Sequence, residues 1–416
     1  MAPLRAVSLF SGCGGFCEGV RLAGFEVRAA VELDRYAVET YRHNFPDVPL
    51  FHGDACDFLR DDSLAWQQER SRFRHLIDTP TDLIFGGPPC QGFSQIGPRA
   101  VDDPRNTLYL EFVRVLTTLQ PKVFLMENVP NMLLLAGGRF KDDVLAALSL
   151  AGYSNAGVAV VAASDYGVAQ LRRRAIFFGV HDTHDLGMDA HDFLVKSLEC
   201  ERAPTPTVGQ LLRDLPADVS EDDGPLPYPS GRRVTRAGRE YRLDRDGLRY
   251  SRERKVEALG ELPALLYNHH TKGMLARRRE LIEGLKPGAN GKTLEPEIWS
   301  GTRAEKWRRL HPDKPSHTIL AQMHRDMSEW VHPWLPRWIT VREAARLQSF
   351  HDGFVFKSSE WQMLKQVGNA VPPLMARALA AVATGAISRL NSGEAQGNRK
   401  PRPRQPPKRF STPTNS

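Results

Sequence analysis

Through residues 1–181 short apolar runs alternate with stretches of helical periodicity. RAVSLF (5–10), FEVRAAVE (25–32), TDLIFGG (81–87) and KVFLMENV (122–129) predict strands. The stretches after them, to about Leu22 and over 34–45, 107–119 and 140–152, predict helices. NAGVAVVAA (155–163) and RRAIFFGV (173–180) read as paired strands. Strands alternating with helices imply an α/β fold with a doubly wound, mostly parallel sheet.

The pattern breaks near His181. Proline, glycine, aspartate and arginine then dominate to about residue 260, and 182–338 reads as a second, smaller, irregular domain. Periodicity returns in TVREAARLQSF (340–350) and in VPPLMARALAAVATGAISRL (371–390), a long amphipathic helix. The expected division is 1–181, then 182–338, then a return to the first domain over 339–390, with the last helix beside the first strand. Residues 391–416, rich in proline, arginine, lysine and serine, read as a disordered basic tail.

Composition narrows the classes. No apolar run approaches the ~20 residues of a membrane-spanning helix, and the N-terminal apolar run reads as a buried strand rather than a signal peptide. A cytoplasmic protein is expected, with no membrane partner. The five cysteines (13, 17, 56, 90 and 200) form no CxxC pair, so neither a disulfide framework nor a thiolate metal site is expected. A formal net charge of +7 suits a polyanionic partner without proving one. Residues 231–255 are dense in arginine with Tyr241 and Tyr250 interleaved, which fits a polyanion-binding surface or a solvated loop.

Three clusters carry candidate chemistry. Phe10, Ser11, Gly12, Cys13, Gly14 and Gly15 form a strand-to-helix turn whose glycines let the backbone approach a ligand. Glu32 follows Gly12 by 20 residues, the spacing of a carboxylate that accepts from a ribose diol. Asp54 follows the next apolar segment and could accept from an adenine amino group. Together they read as a site for an adenosine-containing cofactor. The turn does not match GxGxxG, which disfavours a nicotinamide dinucleotide. The second cluster is GGPPCQGFS, where Pro88 and Pro89 stiffen the turn before Cys90, and the segment beyond has the glycine and proline of a lid. A lone loop cysteine is more often structural, but this setting also suits a nucleophile. The third is Glu127-Asn128-Val129 at a strand end, with the arginines of Gln170-Leu171-Arg172-Arg173-Arg174.

Taken in order, these segments resemble the motifs of the DNA cytosine-5 methyltransferases. LFSGCGGF resembles the family's cofactor turn, GGPPCQGFS its proline-cysteine motif, MENVP its second catalytic motif and QLRRR its paired-arginine motif. His311–Ile319 resembles the segment bracing the recognition domain, and Gln366–Pro373 the closing motif. The chain departs from the family pattern at Cys13, where a bulkier apolar residue is common, and at Ala370, where serine is usual.

The resemblance implies an S-adenosylmethionine-dependent methyltransferase fold with a target-recognition domain. It implies a prokaryotic, nucleoid-associated enzyme that methylates carbon 5 of a flipped-out cytosine in double-stranded DNA at a specific site. Cys90 would be the nucleophile, Glu127 the acid at ring nitrogen 3, and Arg172 and Arg174 the groups that hold the base oxygen. Phe10, Ser11, Gly12, Gly14, Gly15, Glu32, Asp54, Pro89, Asn369 and Ala370 would bind the cofactor, released as S-adenosylhomocysteine, with no metal. Ser94, Gln95, His269 and Lys272 are candidate DNA contacts. The enzyme would act as a monomer, solitary or serving with a cognate restriction endonuclease. An RNA methyltransferase, an idle DNA-binding module and a nicotinamide-dependent oxidoreductase are the competing readings.

Overall fold

The computed structural model describes residues 2–89, 108–219, 224–227, 265–271, 273–274, 276–294, 307–321 and 330–392. Cys90, Ser94, Gln95, Lys272, the arginine-rich stretch 231–255 and the tail beyond 392 lie outside them.

Seven strands build the main sheet: β1 (Arg5–Leu9), β2 (Glu26–Glu32), β3 (Leu50–His52), β4 (Leu83–Gly86), β5 (Val123–Asn128), β6 (Asn155–Ala162) and β7 (Arg173–Val180). Their spatial order is β3-β2-β1-β4-β5-β7-β6. The pairs from β3 to β5 are parallel, and β7 runs antiparallel to both β5 and β6. The expected mostly parallel sheet is present. Strand order reverses between β1 and β4, so the turns leaving these two strands open side by side at the carboxyl edge, where open α/β sheets receive ligands.

Alternation along the strands explains the layering. Val123 and Leu125 of β5 point into one core with Phe16, Val20, Leu379 and Ala383. Phe124 and Met126 point into the other, with Phe112, Val115 and Leu148. Burial on both faces is why the strands read as continuous apolar runs rather than as alternating ones.

The helices that bear on the site are α1 (Gly15–Leu22), α2 (Arg35–Asn44), α3 (Leu108–Leu119), α4 (Arg139–Leu150), α5 (Ala190–Cys200), α6 (Val208–Leu212), α7 (Val341–Leu347), α8 (Glu360–Asn369) and α9 (Pro373–Ser392). The last of these, expected beside the first strand, lies against α1, the helix that follows it, and also touches β5. Residues 360–392 are long and apolar enough to cross a membrane by length and composition, but 72% of the qualifying window is buried inside the fold. That burial is the mark of a core helix.

The change of pattern at His181 does not coincide with the end of the main core. Helix α5 packs on β6 and β7, and Leu211, Leu212 and Leu215 join the same core as α9. The core of the first domain thus continues past 182, because an amphipathic helix, α5, follows the turn around Gly187. Farther along, Ile282, Leu285, Trp307 and Val331 form a small cluster of their own.

Candidate active site

The turn after β1 carries the first group of residues. Gly14 caps α1 in the left-handed region (φ 103°), with no side chain bonded to the helix N-terminus. Gly12 is also left-handed (φ 57°), and open space lies where its side chain would be. Its amide donates to Glu32 Oε2 at 2.7 Å, while the amides of Leu33 and Asp34 donate to Oε1 at 2.9 and 2.7 Å. Burial pushes the Glu32 carboxyl up, against the lowering pull of these amides. Glu32 thus ends β2 beside the glycine turn and holds it. Ser11 has an internal role: its hydroxyl bonds Ser8 and accepts from the Val31 amide. Phe10 packs at the edge of the second core. Asp54 lies just beyond β3 and accepts from the Cys56 amide at 2.9 Å.

The open volume above Gly12, the uncapped α1 N-terminus and the carboxylates of Glu32 and Asp54 fit an adenosine-containing cofactor. They supply backbone amides for its polar end and acceptors for hydroxyl and amino groups.

Gly15 is pinned from the far end of the chain. A side chain there would come within 2.6 Å of Val371 O and 3.0 Å of Ala370 Cβ. The Cys13 thiol also faces Gln366 O at 3.8 Å. The closing segment therefore packs on the cofactor turn, although more than 350 residues separate Cys13 from Gln366. Ala370 is buried, and Asn369 is exposed at the end of α8.

The chemistry expected of β5 and β7 is assembled at the same edge. Glu127 Oε1 accepts from Arg174 Nε at 2.6 Å, and both side chains are nearly buried. A side chain at Gly87 would approach Glu127 Oε2 at 3.0 Å, so a glycine here leaves the carboxylate its room. Asn128 Nδ2 donates to Pro88 O at 3.0 Å, and its Oδ1 accepts from the Val129 amide. Asn128 thus braces the rigid turn through Pro89, the last described residue before Cys90.

Arg172 is buried on the connection into β7. Its Nη1 donates to Gly368 O at 3.0 Å and to Ile319 O at 3.3 Å. Its Nε is buried without a hydrogen-bond partner among the described residues. Burial, with Arg174 adding to it, pushes its guanidinium well below the usual arginine range despite Glu127. Arg173 is exposed. The short strand Gln170–Leu171 pairs in parallel with Ser316–His317, which docks the bracing segment onto the arginine motif.

One candidate DNA contact is corrected. His269 is fully buried, with Nε2 at 3.0 Å from Pro216 O and Nδ1 at 3.0 Å from Thr340 Oγ1. Burial pushes its imidazole down. The neighbouring segment is held by Arg342, whose Nε donates to Tyr267 O, and by Asn268, which pairs with the Phe356 backbone. The segment pins the fold under α7 and offers no free ring to a duplex.

Sequence reasoning missed α7 as a polar hub. Arg342, Glu343, Arg346 and Gln348 are all fully buried. Arg346 bonds Asp214 and Asp352, and Glu343 bonds Arg337 through both oxygens. The one signal available was the capping box from Thr340 to Glu343.

The turn through Pro89, the Glu127–Arg174 pair and the glycine turn with Glu32 share one sheet edge, on a sheet of the methyltransferase class. The sequence profile of the C-5 cytosine-specific DNA methylases matches residues 4–384, and the chain belongs to this family. It is a DNA cytosine-5-methyltransferase, and membership implies S-adenosylmethionine as methyl donor. The type II methyltransferase M.AgeI of Thalassovita gelatinovora is 32% identical, over 92% of this chain and 100% of its own length. M1.HphI of Haemophilus parahaemolyticus is 33% identical, over 94% of this chain and 88% of its own. Among solved structures, one assigned as a DNA modification methyltransferase of an E. coli prophage superimposes with a TM-score of 0.71 at 28% identity, covering 92% of this chain and 99% of its own. The S. pombe Dnmt2 methyltransferase shares the fold at 16% identity, with a TM-score of 0.51, covering 93% of this chain and 99% of its own.

Proposed function

We propose that the chain methylates carbon 5 of a cytosine flipped out of duplex DNA, through a transient bond between Cys90 and carbon 6. The observation that carries this reading is the Glu127–Arg174 pair beside Gly87, at the start of the turn that leads to Cys90. The Cys90 thiolate adds to carbon 6 of the base. A proton shared between Glu127 and ring nitrogen 3 accommodates the electron pair displaced into the ring. Carbon 5, now an enamine carbon, takes the methyl group. Loss of the carbon 5 proton then expels the thiolate and restores the 5,6 double bond.

Arg174 holds Glu127 in place, and Arg172 and Arg174 together hold the base oxygen and orient the catalytic groups. S-adenosylmethionine, when bound, supplies an electrophilic methyl group. Gly12, Gly14, Gly15, Glu32 and Asp54 would hold it, with Pro89, Asn369 and Ala370 bordering it. Flipping costs a few kcal/mol of unstacking. Ser94 and Gln95 belong to the segment assigned to closing on the base. Residues within 182–338 would neutralise phosphates and read base edges, with 231–255 and Lys272 as candidates. The type II relatives support a role in restriction-modification, beside a cognate endonuclease. We place the enzyme in the cytoplasm as a monomer.

Duplex DNA carrying 5-fluorocytosine at the target should become covalently attached to the wild-type chain in the presence of S-adenosylmethionine. Cys90→Ser should neither trap DNA nor turn over. Normal turnover by that variant would refute the covalent route.

A further inference from the structure

Gln348 follows α7 and is fully buried. Both ends of its side-chain amide are engaged. Oε1 accepts from Gln170 Nε2 at 2.5 Å, and Nε2 donates to Ala370 O at 2.7 Å. Gln170, equally buried, accepts from the Ile319 amide at 3.1 Å through its own Oε1. Backbone groups stand at the two ends of this chain, an N–H donor at Ile319 and a carbonyl acceptor at Ala370. They fix which way round each glutamine lies.

The two ends belong to different halves of the site. Gln170 starts the short strand that leads into Arg172, the arginine assigned to the base. Ala370 caps α8 in the segment that packs on Gly15, and the Gly368 carbonyl in the last turn of α8 receives Arg172. Packing alone would be served by leucine or methionine, and a buried amide is costly unless both its ends are bonded.

We propose that Gln348 is a positioning residue that sets the cofactor turn and the arginine strand relative to each other, so that one side chain fixes both halves of the site. The assignment of the halves rests on the proposed function; the link between them is geometric. Gln348→Met keeps the length and volume but removes both bonds. Ala370 O then loses its donor, and the turn on Gly15 loses its register with Arg172. Gln348→Glu carries a built-in switch. Its protonated carboxyl can accept from Gln170 and donate to Ala370 O as the amide does, whereas its carboxylate cannot donate. Neither bonded partner, the Gln170 amide nor the Ala370 carbonyl, titrates.

The test uses the full chain and measures S-adenosylmethionine affinity by calorimetry without DNA, then kcat on duplex DNA. Gln348→Met should raise the Kd about tenfold and lower kcat by a similar factor, the scale of one lost buried bond. Gln348→Glu should bind close to wild type where its carboxyl is protonated, and weaken relative to wild type as pH rises. A fall in melting temperature with Kd and kcat both unchanged in Gln348→Met would reduce the residue to a core filler and overturn the proposal. A Gln348→Glu affinity that tracks wild type at every pH would overturn it too, even if Gln348→Met fails to fold. If the wild-type chain binds S-adenosylmethionine but methylates no DNA, the proposed function falls, while the Kd comparison still decides the link.

Discussion

Glu127 on β5 and Arg174 on β7 meet across an antiparallel strand pair, with Arg174 Nε donating to Glu127 Oε1 at 2.6 Å. The pairing fixes the carboxylate at the sheet edge beside the turn that leads to Cys90. Arg174→Ala would leave Glu127 nearly buried and without that partner. The expected result is a loss of kcat of roughly a hundredfold or more, the scale of removing one preorganised electrostatic group. S-adenosylmethionine affinity should change little, because Gly12, Glu32 and Asp54 are untouched. Arg174→Lys should recover only part of the rate, since a lysine cannot reproduce the planar fork. Single-turnover methylation and calorimetry separate the two effects.

Two glycines of the cofactor turn should respond in different ways. Gly15→Ala drives a methyl group against Val371 O and Phe350, at built distances of 2.6 and 2.9 Å. It should destabilise the fold by about 1–3 kcal/mol, visible in thermal melting. Gly12→Ala meets no atom within 4 Å among the described residues but must hold a left-handed backbone. Its stability cost should stay near ~1–2 kcal/mol. Its S-adenosylmethionine affinity should fall further than stability alone explains, because the new methyl enters the open space above the turn.

His332 gives the fold an acid-sensitive point. Its Nδ1 accepts from the amides of Trp334 and Leu335, so protonation there breaks both bonds. Burial lowers its pKa from 6.5 to about 4, against the raising effect of Glu343. At neutral pH the 3.4 Å contact with Glu343 therefore joins a neutral ring to a carboxylate and is no ion pair. For a base whose pKa is depressed by folding, the unfolded chain binds the proton first. The stability it contributes is full above pH 6.5 and is lost as pH falls toward 4. A melting temperature that declines through this window is expected. In His332→Gln the decline should be shallower, from a lower starting value.

Arg346 sits between Asp214 and Asp352, with all three side chains fully buried and nitrogen–oxygen distances of 2.7 and 2.5 Å. Arg346→Met would take from two buried carboxylates the cation that bonds both, leaving Arg342 at 3.9 Å from Asp352. Destabilisation of roughly 3–5 kcal/mol is expected from denaturant titration. Adding Asp214→Asn and Asp352→Asn should restore part of it, because the excess buried negative charge is then gone.

The sheet was legible because its strands are short apolar runs and its turns carry glycine or proline. The contacts of Glu32 with Gly12 and of Glu127 with Arg174 join residues that the sequence had already singled out. What stayed hidden followed from burial of charge. Arg342 and Arg346 stand in a stretch that shows only periodicity, and unpaired arginine is rarely buried. Asp214 lies 132 residues from Arg346, while Asp352 and the His351 and Phe354 carbonyls lie in the loop just past the helix, which carries no periodic signal. His269 misled for the same reason, because a histidine in a polar stretch looks solvent-facing until its two backbone and hydroxyl partners are known. Gln348 gave no signal at all, because its meaning lies in Gln170 and Ala370, 178 and 22 residues away.

The central claim is tested most directly by the position of the methyl group in the product. The full chain is incubated with duplex DNA and methyl-labelled S-adenosylmethionine, and the nucleosides are then released and separated. Label is expected in 5-methylcytosine, and none when Glu127→Gln or Cys90→Ser replaces the wild type. Label on an exocyclic nitrogen, or undiminished 5-methylcytosine from either variant, would contradict it.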